Sequence, residues 1–268
     1  MLFGSRLMII LAFDTTSEHG GVAIYRDLER LGEAENQGNA NYSVTLFEMT
    51  DRLLARLNLT LRDIDLFAVA TGPGSFTGIR VGVAAAQGWA QAFERPVRGI
   101  SVLEAMVEAA RPETDWAVPL LDARRAEFYA AVFRRSPAEH PERLGDVRGA
   151  WGEAVALDTE GVAAAGRNAA EPHLILERNA LPEFFQRLAS GQRSTQTVCC
   201  LARECDAPAQ SLRAILDAQV RWESVSGLLV GAMARLALLA AREGKLQSPA
   251  ELDACYVRRS DAELHWRE

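Results

Sequence analysis

The chain has 268 residues, 49% of them apolar and 24% charged, with a formal net charge of −7. That length is enough for one large domain or two small ones, and the acidic balance excludes a generally basic surface for nucleic acid while leaving room for a local basic patch. Residues 7–13 are apolar but end at Asp14 without a cleavage pattern, and residues 228–241 contain Arg235 and are too short to span a bilayer, so a cytoplasmic protein with no membrane segment is expected. Cys199, Cys200 and Cys205 crowd together, with Cys255 apart, a distribution that suits reduced thiols better than a disulfide framework.

In chain order, residues 1–6 read as a disordered leader and residues 7–13 as a buried strand. Asp14-Thr15-Thr16-Ser17 makes a polar turn into a second strand at 21–25, so a hairpin is expected, with a third strand at 31–35. Residues 43–57 carry Val44, Phe47, Leu54 and Leu57 at helical spacing, with Ser43 as the N-cap. A strand at 66–70 runs into Gly72-Pro73-Gly74-Ser75, where the glycines permit a tight turn. A helix follows as far as Phe93, capped by Ser75 or Thr77. A short strand at 97–100 leads to Ser101-Val102-Leu103-Glu104, which fits a capping box.

That order of strands and helices predicts an α/β layer around a mixed sheet. A second pass begins near Trp116, where an apolar run at 118–121 meets Asp122-Ala123-Arg124 and residues 127–133 alternate as one strand. The echo of the opening points to two related subdomains, 7–112 and 113–268. Residues 134–224 show only short apolar runs at 174–176 and 181–188, with a Ser/Gln/Thr stretch at 190–197, and the segment near 190–210 reads as divergent or inserted. A last helix is predicted over 226–243, stopped by Gly244 with Pro249 beyond, ahead of a charged tail that carries Trp266.

The Gly72–Gly78 segment supports two readings. Its N–H groups and the helix dipole form a place where an anion can sit. Gly78, Gly82 and Ala86 also lie on one helix face as a stripe without side chains, open to a closely packed second helix. No Lys follows the glycines, so the segment is not a Walker A loop. Asp14 either orients a metal-bound water or phosphates, or caps the hairpin turn. His19, His140, His173 and His265 are scattered without an HExxH motif, the cysteines form no CxxC pair, and no GxSxG elbow occurs. Zinc-peptidase and serine-hydrolase chemistry therefore lack their residues. Arg258-Arg259 near the end is either solvated or meets an acidic partner.

Together, Asp14-Thr15-Thr16, the run from Gly72 to Arg80, Gln87-Gly88, Asp122-Ala123-Arg124 with Glu127-Phe128-Tyr129, and the ending from Tyr256 to Glu263 resemble the bacterial tRNA threonylcarbamoyladenosine biosynthesis protein TsaB (YeaZ) family. The GPGSFTGIR run is the specific part. The resemblance covers residues 7–133 well and 225–263 loosely. It implies an actin-like ATPase (ASKHA, ribonuclease H-like) fold of two tandem subdomains, with mixed sheets flanked by helices. It also implies a subunit with no catalytic residue and no metal of its own. Such a subunit pairs with a catalytic paralogue, TsaD, which carries the metal-binding histidines, and works with the ATPase TsaE. The set transfers a threonylcarbamoyl group from threonylcarbamoyl adenylate, made by a separate enzyme, to the adenosine beside the anticodon of tRNA.

On that resemblance no cofactor is held tightly by this chain, ATP or ADP belongs to the multi-subunit complex, and contact with tRNA is indirect. Asp14, Thr15, Thr16, Gly72, Gly74 and Ser75 would form a residual nucleotide loop. The implied partner interface takes Ser43 and Phe47 from the first helix, and Thr77, Gly78, Arg80, Val81, Gly82, Ala85, Ala86 and Trp89 from the second. A homodimer over the same face would compete with the heterodimer. The glycine stripe suits such a seam, so Gly82→Arg is expected to abolish pairing and leave the monomer folded. Where family members often open the first helix with His-Ser, this chain has Asn41-Tyr42-Ser43. The alternative within the same fold is a small-molecule kinase or ATPase that uses Asp14 to activate a hydroxyl.

Overall fold

The computed structural model describes residues 7–36, 41–135, 151–154, 163–164, 174–190, 198–216 and 220–256. The expected leader, the Ser/Gln/Thr stretch at 191–197, the tail beyond Tyr256 with Arg258, Arg259 and Trp266, and His140, His173 and His265 lie outside the described residues. The described chain divides into two compact units. One takes residues 7–105 and 227–256, and the other runs from Met106 to Ser226.

In the first unit, β1 (Ile9–Asp14), β2 (Gly21–Arg26) and β3 (Glu29–Glu35) form an antiparallel meander. β4 (Leu66–Gly72) and β5 (Val97–Ser101) extend it in parallel, giving the order β3-β2-β1-β4-β5. Alternation along these strands sends side chains to two faces. Leu11, Phe13, Val22, Ile24, Phe67 and Val69 join one core with α1 (Tyr42–Arg56) and α2 (Phe76–Phe93). On the other face, Gly231 of α6 (Val230–Arg242) stands against the Tyr25 hydroxyl, and burial pushes the Tyr25 phenol above its ordinary pKa. Each sheet face is thereby covered by helix.

Three expectations for this unit are corrected. The N-cap of α1 is Asn41, whose side chain accepts from the Ser43 N–H, rather than Ser43. The last helix begins at Val230 instead of 226. It also packs on β1, β2 and β4, so residues 227–256 return to the first unit and a boundary that assigns 113–268 to the second does not hold. At the start of α3 (Val102–Ala110), Ser101 Oγ accepts from the Leu103 N–H.

In the second unit, β6 (Trp116–Asp122) is flanked by β7 (Glu127–Ala130) and β8 (Phe133–Arg135) on one side and by β12 (Val198–Arg203) on the other. The sheet also includes β9 (Trp151–Ala154), β10 (Ala163–Ala164), β11 (Leu174–Glu177) and β13 (Val220–Val225), and its main path runs β10-β11-β7-β6-β12-β13. The single strand expected at 127–133 is divided in two, although its register is unbroken from Leu120↔Ala130 to Ala117↔Phe133. The gap falls opposite Val118 and Pro119, and a proline has no N–H to give to a ladder. α4 (Leu181–Ser190) supplies Phe184, Phe185 and Leu188 to the core.

β12 corrects the insertion reading. It is parallel to both β6 and β13 and every residue in it is buried, so Val198–Arg203 is integral to the sheet. Burial pushes the Cys199 thiol up to about 12, with Glu223 adding to the rise, and also holds Cys200 well above the ordinary thiol range. Both cysteines act as small core residues. α5 (Ala207–Gln210) follows, capped by Asp206.

Candidate pairing surface and loop site

The two loops expected to act together do meet. Ser75 N donates to Thr16 O at 2.7 Å, and a Cβ on Gly74 would stand 2.6 Å from the same carbonyl oxygen. Only glycine permits that approach. Gly72, at φ +117, makes the turn that brings the loop there. Asp14 is fully buried, and its Oδ1 accepts from the Thr16 N–H at 2.8 Å and the Thr16 hydroxyl at 2.6 Å. This is the hydrogen-bond pattern of an Asx turn, which supports the turn-capping reading of Asp14. At the start of α2, Ser75 Oγ accepts from the Gly78 N–H, so Ser75 rather than Thr77 is the cap. Two of the N–H groups around the start of α2, those of Ser75 and Gly78, are thus spent inside the chain.

The glycine stripe faces inward, which corrects its expected role. Thr15 Oγ1 donates to Gly78 O at 2.7 Å. A Cβ on Gly78 would overlap the Thr15 carbonyl oxygen, and one on Gly82 would stand 2.5 Å from Thr15 Oγ1 and 3.3 Å from Val69 Cγ2. Gly78, Gly82, Ala85 and Ala86 are buried. The close approach that these small residues allow is therefore made to the end of β1 and to β4 in the same chain. Gly82→Arg would disrupt the monomer itself, contrary to the expectation that it leaves the monomer folded.

The rest of the expected set lies on or near the surface. Ser43, Thr77 and Arg80 are exposed, and Val81 and Trp89 are partly buried. Phe47 is 42% exposed and Val44 55%. Trp89 joins this surface to the core, with ring centroids 5.5 Å from Phe47, 5.4 Å from Phe13 and 6.0 Å from Phe67. Ala84 and Gly88 continue the exposed face of α2, and a Cβ on Gly88 would meet nothing within 4 Å. The sequence reading missed Ala84, Gly88 and the exposure of Val44. The signal was present, because positions 77, 81, 84 and 88 share one helix face, but that face competed with the more conspicuous 78, 82, 86 stripe.

Two anchors fix the ends of this surface. Tyr42 Oη donates to Ser17 O at 2.8 Å, tying α1 to the turn after β1. At the start of α2, Arg80 lies 4.0 Å over the Phe76 ring and its Nε donates to Tyr256 Oη at 3.1 Å. Gln87 Nε2 donates to Leu252 O at 2.9 Å, so the segment ending at Tyr256 runs along α2. Among the described residues, no group of three or more His, Cys, Asp or Glu side chains is arranged to hold a metal ion, and no helix is long and apolar enough to cross a membrane.

Comparison with known proteins accords with this architecture. The family model for TsaD, tRNA N6-adenosine threonylcarbamoyltransferase, matches residues 36–266. The tRNA threonylcarbamoyladenosine biosynthesis protein TsaB of Bacillus subtilis is 32% identical over 127 residues, covering 47% of this chain and 56% of that protein. Its Escherichia coli counterpart is 34% identical over 137 residues, covering 48% and 56%. The chain thus spans a little over half the length of the curated relatives it matches. Among solved structures, YeaZ from Pseudomonas aeruginosa superposes with a TM-score of 0.63 at 20% identity, covering 93% of this chain and all of that one. That likeness shows the fold, the actin-like ATPase architecture. With a family model matched over most of its length, the chain belongs to the tRNA N6-adenosine threonylcarbamoyltransferase (TsaD) family, and its curated relatives include TsaB proteins.

Proposed function

We propose that this chain is a non-catalytic subunit in the threonylcarbamoylation of tRNA, and that it docks a TsaD-like catalytic paralogue through the outward face of α1 and α2. The observation that carries the reading is that face itself. Val44 and Phe47 are exposed beside Thr77, Ala84 and Gly88, whose small or absent side chains let a partner helix come close. A patch of this kind on an otherwise charged surface marks an interaction site. The same face serves a homodimer, which the heterodimer displaces. A TsaE-like ATPase joins the assembled pair, and ATP or ADP is held there rather than by this chain alone.

The kinase reading needs Asp14 to reach a substrate hydroxyl. Its full burial and its two hydrogen bonds from Thr16 favour the structural role.

Reconstitution tests the proposal. The paralogue, the ATPase, threonylcarbamoyl adenylate and an unmodified tRNA are expected to give modified tRNA only when this chain is present, and the Val44→Glu chain is expected to fail to support the modification. Full-rate modification without the chain would contradict the proposal. ATP turnover by the pure chain, lost in Asp14→Asn, would favour the kinase.

A further inference from the structure

Arg80 is the only charged residue of α2. It is exposed, and helical spacing sets it one turn from Thr77 and Ala84 on the outward face. Its guanidinium carbon stands 4.0 Å from the centroid of the Phe76 ring and 5.9 Å from that of Tyr256, within the range of cation–π attraction. The two rings lie 4.8 Å apart, centroid to centroid. Arg80 Nε donates to Tyr256 Oη at 3.1 Å. Among the described residues no carboxylate pairs with this guanidinium. The nearest acids in sequence to Tyr256 are occupied, since Glu251 accepts from the N–H and hydroxyl of Ser248, and Asp253 from the Ala254 N–H. With Nε engaged, the Nη1 and Nη2 pair remains, the end of the fork that matches the two oxygens of a carboxylate.

Tyr256 is itself brought to this place by a fixed segment. Gln247 pairs with Val97 through both its N–H and its carbonyl, each at 2.9 Å. Leu252 is buried, and its carbonyl accepts from Gln87 Nε2. The Cys255 N–H donates to Thr71 O at 2.9 Å, immediately before Tyr256. An exposed arginine ordinarily samples many rotamers, and holding one of them is part of the cost of any contact it makes. Here the ordering is already accomplished in the free chain, which leaves less to be lost when a partner arrives.

We propose that Arg80 grips a carboxylate of the TsaD-like paralogue at the edge of the docking face, and that Tyr256 is the positioning residue for this contact. The inference rests on the docking reading given above. A carboxylate suits the site better than a phosphate, because the Ser75 and Gly78 N–H groups near the start of the same helix are bonded inside the chain and do not help to cradle a larger anion.

The test is isothermal titration calorimetry of the full chain against the TsaD-like paralogue, with urea unfolding of each variant alone to establish that it is folded. Arg80→Gln is expected to weaken pairing at least about tenfold, the effect of removing one member of a desolvated charge pair. Arg80→Lys, which keeps the charge without the fork, is expected to recover only part of that loss. Tyr256→Phe keeps the ring and removes the hydroxyl, and is expected to weaken pairing about three- to tenfold. In the Arg80→Gln background Tyr256→Phe is expected to have no further effect, which a merely structural role for Tyr256 would not produce. Pairing unaffected by Arg80→Gln, full recovery with lysine, or additive losses in the double variant would each overturn the proposal. So would an Arg80→Gln chain that loses ADP binding or self-association while its pairing is unchanged, because the guanidinium would then serve a phosphate or a second copy of the chain. A wild-type chain that ignores the paralogue overturns the docking reading and this inference with it, whereas pairing indifferent to Arg80 overturns this inference alone.

Discussion

Gly78 and Gly88 both lie inside α2, and their surroundings give them opposite roles. Gly78 abuts the Thr15 carbonyl, where an added methyl has no space and the obstacle is backbone that cannot swing away. Gly88 faces open space and lacks only the helix propensity of another residue. Gly78→Ala is therefore expected to destabilise the chain by about 3 kcal/mol, near the upper end of overpacking costs. Gly88→Arg is expected to stabilise the isolated chain by about 0.5 to 1 kcal/mol, because a good helix former replaces glycine. Urea denaturation of the two variants checks both signs. Gly88→Arg then takes over the test first framed for Gly82, since it sets a long side chain on the outward face without disturbing the fold.

Single elements show how much of the fold was legible in the sequence. The strands of the first sheet and both helices of the outward face appear in the sequence because periods of 2 and 3.6 are local. Which side of α2 faces inward does not. A stripe of small residues suits a helix seam and a close approach to a sheet equally well, and only Thr15, more than sixty residues earlier, decides between them. β12 escaped notice for a related reason, because a strand buried on both faces is a continuous apolar run without alternation. The return of α6 to the first unit is also a matter of long-range packing, which no local period encodes.

At the end of β12, Asp206 makes the junction with β6 sensitive to pH. Burial pushes its carboxyl above the ordinary carboxylate range, against the lowering pull of the N–H groups of Asp122 and Ala209. A raised pKa means that the folded chain holds a proton that the unfolded chain has released. This contribution to stability therefore grows as the pH falls through the window between the raised and the ordinary value, and it is lost as the pH rises. Asp206→Asn is expected to abolish that dependence and to keep the cap on α5, while losing the hydrogen bond from the Asp122 N–H, because an amide nitrogen replaces one carboxylate oxygen. Urea unfolding of both proteins between pH 4 and 7 checks this. Parallel profiles would show that Asp206 does not titrate there.

Across the described residues, the surface left for a partner is the one the chain has not used for its own packing. The turn after β1 is filled by Asp14 and Thr16, the glycines of α2 by Thr15, and the second sheet by its own strands, leaving Val44, Phe47, Ala84 and Gly88 facing outward. The most direct measurement is native mass spectrometry of this chain mixed with the TsaD-like protein of the same genome, for the wild type, Val44→Glu and Gly88→Arg. The account predicts a one-to-one heterodimer for the wild type that forms at the expense of any homodimer, and its loss in both variants, which stay folded. A heterodimer that survives both substitutions, or a wild-type chain that ignores the paralogue, would contradict it.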